Sequence, residues 1–119
     1  MSALAASAVS LYPTGLGFNQ YYPVGKGDTA IIARRLKLVL TGQGTAANPI
    51  TSEALGFSTL LEVQPLWDAA NTKGYPAVID PVNDLLILLD GSAAPAPVDV
   101  TSAESYITVV GIWKGFGIA

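Results

Sequence analysis

Residues 75–91 read YPAVIDPVNDLLILLDG, and this stretch decides the fold. Two apolar runs, Tyr75 to Ile79 and Leu85 to Leu89, flank Asp80-Pro81-Val82-Asn83-Asp84. Proline presets φ, and Asp and Asn side chains accept hydrogen bonds from nearby backbone amides, so this cluster turns the chain. Two strand-length apolar runs around a turn cluster predict a β-hairpin. A strand with one wet face alternates apolar and polar residues, because successive side chains point to opposite faces. Leu85-Leu86-Ile87-Leu88-Leu89 does not alternate. Both of its faces therefore need cover, from elsewhere in the chain or from a neighbouring subunit, and periodicity does not separate the two.

Working outward, RLKLVLTG (residues 35–42) alternates Leu36, Leu38 and Leu40 with Arg35, Lys37 and Val39, which predicts a strand with one apolar face. GQGTAANP follows as a loop. In ITSEALGF, Thr51 or Ser52 can cap a short helical turn that Gly56 ends. STLLEVQPLW reads as a second strand, with Pro65 marking an edge or a bulge. DAANTKG turns into the hairpin, and the Pro/Ala loop GSAAPAPVDVTSAES favours extended polyproline geometry. YITVVGIW supplies the last strand. The class is all-β: a small β-sandwich or barrel of about five or six strands, with no long amphipathic helix.

Size allows one core. The chain has 119 residues, of which 13% are charged, against about 25% for an ordinary globular domain. Part of the surface is thus expected to be hidden in the working state, which favours the neighbouring subunit as cover for Leu85 to Leu89. Membrane is the weakest choice of hiding place, because a spanning helix needs about 18 apolar residues in a row and the longest run here is Leu85 to Leu89. MSALAASAVSLYPTG lacks the positive n-region of a secretory signal. Nine acids against six bases give a net charge of −3, which argues against nucleic acid. The one basic cluster, Arg34-Arg35 with Lys37, is split between the two faces of a strand.

The first 28 residues have no sustained period but hold Tyr12, Phe18, Tyr21 and Tyr22. Disordered tails are poor in aromatics. Residues 1–28 are therefore read as an extended arm, with these four rings as anchors on a partner or on the chain's own domain, and residues 29–119 as a single β domain. GKGDT at 25–29 is a hinge between the two. It departs from the phosphate-loop pattern, because Gly27 follows Lys26 where that pattern needs Ser or Thr.

Chemistry is sparse. With no histidine and no cysteine, His-based triads, thiol nucleophiles and zinc-thiolate sites are excluded, and no catalytic residue is assigned. Asp80, Asn83, Asp84 and Asp90 match no EF-hand spacing and are explained as turn formers, so no metal or cofactor is expected. A carboxylate enzyme would need two acids facing each other across a cleft, roughly 5 to 9.5 Å apart. Trp67 and Trp113 read best as core residues. A carbohydrate- or receptor-binding module would need an exposed aromatic platform, and the sequence shows only these two separated tryptophans.

In order and texture, residues 34–115 resemble the small virion structural proteins of tailed bacteriophages, of the head-decoration or cement type. The elements that match are the basic-to-apolar strand from Arg34 to Thr41, the loop carrying ITSEALGF, STLLEVQPLW, the hairpin with VIDPVNDLLILL, the Pro/Ala loop leading to VDVTSAES, and the closing YITVVGIWKG. The resemblance implies a β-rich, non-enzymatic protein on the capsid surface of a virion. It would bind where major capsid protein subunits meet and associate with itself, a trimer being favoured. On this reading Tyr12, Phe18, Tyr21 and Tyr22 anchor the arm, and Leu86 and Leu88, or the opposite set Leu85, Ile87 and Leu89, meet a neighbour. Deleting residues 1–24 is then expected to leave the body folded and abolish capsid binding.

Overall fold

Two long strands set the architecture. The computed structural model describes residues 2–12, 20–24 and 31–113, with only the strand path at 20–24 and 113. In it, β3 (Ile31–Gln43) and β10 (Val100–Trp113) run antiparallel, from Ile31 opposite Ile112 to Gln43 opposite Val100. Between and before them come β1 (Val9–Leu11), β2 (Gln20–Val24), β4 (Ile50–Thr51), β5 (Phe57–Val63), β6 (Leu66–Asp68), β7 (Lys73–Tyr75), β8 (Ala77–Asp80) and β9 (Leu85–Leu88). The larger sheet places β1 and β2 on the free side of β3, and β5 and β6 on the free side of β10, with β7 outside β6. The smaller sheet has the order β4-β9-β8.

The alternation in β3 does what it predicts. Leu36, Leu38 and Leu40 are buried, whereas Arg35 and Val39 are exposed. Ile107 and Val109 of β10 face the same interior, and Ile50, Leu86 and Leu88 of the smaller sheet close it from the other side. The chain is therefore an all-β sandwich with one core, as the sequence pattern predicts.

The hairpin of the opening forms as read, with Asp80 opposite Leu85 and Ala77 opposite Leu88. Asp80 accepts hydrogen bonds from the backbone N–H of Val82 and Asn83 and from the Asn83 side chain, at 3.0 to 3.2 Å. Asp84 takes φ 58° and accepts from the Leu60 N–H, tying the turn to β5. The expectation that Leu86 and Leu88 meet a neighbour is corrected. Both are 0% exposed inside the chain's own core, and Leu85 and Ile87 on the other face keep only 8% and 9%. As the middle strand of its sheet, β9 also pairs beyond its ends: the Leu88 N–H donates to Gly44 O, and Leu88 O accepts from Val98 N–H.

The leading residues are also corrected. A free arm over 1–28 is not what residues 2–12 and 20–24 form. β1 pairs with β3 (Val9 opposite Leu38, Leu11 opposite Leu36), and β2 pairs with the start of β3 (Tyr21 opposite Ile32). Leu4, 5% exposed, belongs to the core, and its N–H donates to Pro49 O. Of the aromatics noted in the sequence, Tyr12 directly follows β1, and Tyr21 and Tyr22 lie on the path of β2, both strands lying on the free side of β3. Phe18 and the hinge at 25–29 lie outside the described residues, as do the side chains of Tyr21 and Tyr22.

STLLEVQPLW is two strands rather than one. The break falls at Gln64 and Pro65, where proline has no N–H for the ladder. The predicted turn at 51–56 is present: Thr51 Oγ1 accepts from Ala54 N–H, and Gly56 takes φ 88°. Gly56 is required twice over. A Cβ there would collide with the guanidinium of Arg34, which lies inward from β3, donates to Leu55 O at 2.8 Å and stacks 5.9 Å from the centre of the Phe57 ring.

Two outcomes follow. Removing residues 1–12 lowers the urea midpoint rather than leaving the body untouched, and Leu4→Ala alone costs about 2 kcal/mol, the low end for a buried leucine. Gly56→Ala costs at least about 2 kcal/mol through left-handed backbone strain and displacement of Arg34. Equilibrium urea unfolding checks both.

Candidate binding face

The outer face of the larger sheet gathers residues from four distant segments. Directly opposed residues on paired strands share a face. Tyr106 is opposite Lys37 on one side and Trp67 on the other. Ser10 is opposite Lys37, so Tyr12, two residues on, points the same way, and its N–H donates to Arg35 O. Strands two apart in a sheet are about 10 Å apart, yet the rings of Tyr12 and Tyr106 approach to 4.7 Å between centroids. The two rings therefore lean toward each other over β3. The result is an aromatic row, Tyr12–Tyr106–Trp67, flanked by Arg35 and Lys37. Trp67 is 47% exposed and Tyr12 42%. Gly74 stands opposite Trp67, so no side chain from β7 covers that end.

A buried polar cluster fixes this surface from beneath. Asp68, next to Trp67 and turned inward, is fully buried. Ser102 Oγ donates to its Oδ1 at 2.6 Å, and Asn71 donates through its backbone N–H at 3.1 Å and through its side-chain amide at 2.8 Å. Burial on its own would push the Asp68 carboxyl up. The bonds from Ser102, Asn71 and the Ala70 backbone outweigh that and hold it below the usual carboxylate range. Ser102 lies where β10 slips register against β3, between Ser102 and Ser105. In this bulge Glu104 O accepts from Ala69 and Ala70 N–H, and Ser105 Oγ donates to Leu38 O. Bulges re-aim side chains. Here the bulge brings Glu104 against the Tyr106 hydroxyl, which donates to Glu104 Oε2. That bond, together with desolvation and the nearby negative charge, pushes the Tyr106 phenol up to about 12.

The sequence reading placed the tryptophans in the core and found no platform. For Trp67 this is corrected: Leu66 and Asp68 turn inward on its strand, so Trp67 turns out. The signal was present in PLWD as an alternation of three residues, too short to weigh. The split of the basic cluster is as predicted, with Arg34 inward and Arg35 and Lys37 outward. Of the arm anchors, Tyr12 lies on this face, against the chain's own Tyr106. Leu86 and Leu88 take no part in it.

Elsewhere the carboxylates serve the backbone. Asp90 accepts from Ser92 and Ala96, which hold its carboxyl below the ordinary range. Asp99 accepts from Thr45 and Asn48. Among the described residues, no group of three His, Cys, Asp or Glu side chains is placed to hold a metal ion. Comparison with known proteins gives no match: no family model, no curated protein and no solved structure is similar to the chain.

Because the Asp68 carboxyl is depressed in the folded chain, its contribution is complete above the unfolded value of about 3.9. It is lost as pH falls through the folded value. Asp68→Asn, which sets a donor against the Asn71 amide, is expected to lower the urea midpoint clearly at pH 7. The gap to the parent should close below about pH 4. Unfolding curves at a series of pH values check the sign.

Proposed function

We propose that this chain is a non-enzymatic structural protein of a tailed-phage virion. It decorates the outer surface of the head, binds where major capsid protein subunits meet, and acts as a homo-oligomer, a trimer being favoured. The observation that carries the reading is the aromatic row with Arg35 beside it on the outer face of the larger sheet. Tyr, Trp and Arg are enriched among the residues that dominate binding energy between proteins: the rings bury large area at small entropic cost, and the guanidinium presents a planar fork of donors. The resemblance over residues 34–115 supports the location, and the low charge of the chain supports a surface covered in use. Repetition over a lattice turns modest individual contacts into lasting attachment.

A second reading draws on the same rings. The exposed Trp67 and half-buried Tyr106 beside Lys37 and Glu104 form the stacking surface with converging polar groups that a receptor- or carbohydrate-binding module of a phage tail or adhesin requires. Glycan-array hits that vanish in Trp67→Ala would favour this reading over decoration.

The decoration reading is tested by cosedimentation with phage heads that lack the chain. The parent is expected to saturate a fixed number of sites per head, and Trp67→Ala with Tyr106→Ala to bind at least about tenfold more weakly while keeping its fold. Heads that stay bare at every concentration would overturn the reading.

A further inference from the structure

Of the six aspartates in the chain, only Asp90 is followed by glycine. That pair carries a specific reactivity. The backbone nitrogen of the residue after an aspartate can attack the side-chain carboxyl carbon, and a glycine nitrogen is the least hindered. A C–N bond forms, the carboxyl OH and the amide hydrogen leave as water, and a cyclic imide results. Water then adds back. Opening the ring at the side-chain carbonyl restores aspartate. Opening it at the main-chain carbonyl gives isoaspartate, with an extra carbon in the backbone and no change of mass.

The surroundings of Asp90 leave room for this step. Residues 91–97 are all exposed. Gly91 takes φ 73°, and beyond its chain neighbours a Cβ on it would meet only Pro76 Cδ, at 3.7 Å. Among the described residues the Gly91 N–H has no hydrogen-bond partner. Asp68, Asp84 and Asp99 are followed by Ala, Leu and Val, whose side chains crowd the attacking nitrogen, and Asp80 by a proline without an N–H.

The carboxylate itself is held back. Asp90 Oδ1 accepts from Ser92 N–H at 3.0 Å, Ser92 Oγ at 2.8 Å and Ala96 N–H at 3.3 Å. These bonds, with the charge of Lys73, favour the ionised form. Ring closure needs the neutral form, because the departing oxygen leaves as water. Hydrogen bonds to an anion are stronger than those to a neutral group, so the closed loop opposes the step. The same bonds aim the carboxylate at Ser92 and Ala96. The bond from Asp90 N–H to Ala96 O and the bridge between Leu89 and Pro97 shut the base of the loop.

We infer that Asp90–Gly91 is a site of covalent self-modification guarded by Ser92 and Ala96: isoaspartate forms there when the loop between β9 and β10 opens. The inference is independent of the decoration reading. The added backbone carbon lies at the base of the loop, so the closed arrangement is lost in the product. The Val98 N–H, which donates to Leu88 O at the end of β9, then loses its protection. Isoaspartate at position 90 thus marks copies whose loop has been open.

Three samples test this side by side at one mildly acid pH: folded parent, parent unfolded in guanidinium chloride, and folded Ser92→Ala. Isoaspartate at position 90 is read by an isoaspartate-specific methyltransferase and by lost cleavage with an aspartate-specific protease. The unfolded chain is expected to convert at least about tenfold faster than the folded parent, and Ser92→Ala about threefold faster. Purified isoaspartate-90 chain should show faster hydrogen exchange at the Val98 amide. If Ser92→Ala misfolds, the two parent samples still decide. Equal rates in folded and unfolded parent, a folded Ser92→Ala that converts as the parent does, or isoaspartate that accumulates at another aspartate first would each overturn the inference.

Discussion

The antiparallel ladder between β3 and β10 governs the rest of the molecule. Side chains alternate along a strand, so a slip of one residue would turn Leu36, Leu38 and Leu40 into water and bring Arg35 and Lys37 into the core. The registers of β1, β2, β5 and β6 are all set against one or other of these two strands. Where the ladder is regular it makes a core. Where it breaks, between Ser102 and Ser105, it makes a surface.

That break is stable because a buried carboxylate satisfies it. A bulge leaves backbone groups out of the ladder, and an isolated charge in a core is costly. Each difficulty answers the other here. Asp68 takes the Ser102 hydroxyl and the Asn71 amide, while the hairpin amides of Ala69 and Ala70 take the Glu104 carbonyl. Trp67 and Tyr106 sit next to these groups in sequence, so the geometry of the exposed row is inherited from an interior polar cluster. A surface supported in this way keeps its shape without a ligand, which lowers the cost of binding.

Much of the fold was legible because the long elements carry period and the turns carry chemistry. The alternation of Leu36 to Leu40 marked the inner face of β3, and Asp80-Pro81 with Asn83-Asp84 marked the hairpin. The short strands β1, β4, β6 and β7 were hidden. Two or three residues do not display a period, and such strands exist only because a longer neighbour offers its edge. The uninterrupted Leu85 to Leu88 was correctly read as a strand covered on both faces. The cover was assigned to a neighbour because low charge is a property of the whole chain and does not say which strand is hidden. The binding row was illegible for a related reason. Tyr12, Trp67 and Tyr106 meet through register alone, and register between distant segments is not written in any one of them.

The closing of the sheet also orders events during synthesis. β3 emerges early with an apolar face and two open edges, and its principal partner is the last of the described strands. Contacts between such remote segments form slowly, because the loop between them must be closed before they repay its entropy. Among the described strands β1, β2 and β10 pair with β3, and β1 and β2 both precede it in the chain. The leading residues that looked like an arm thus cover one edge of β3, which would otherwise stand open to strand addition.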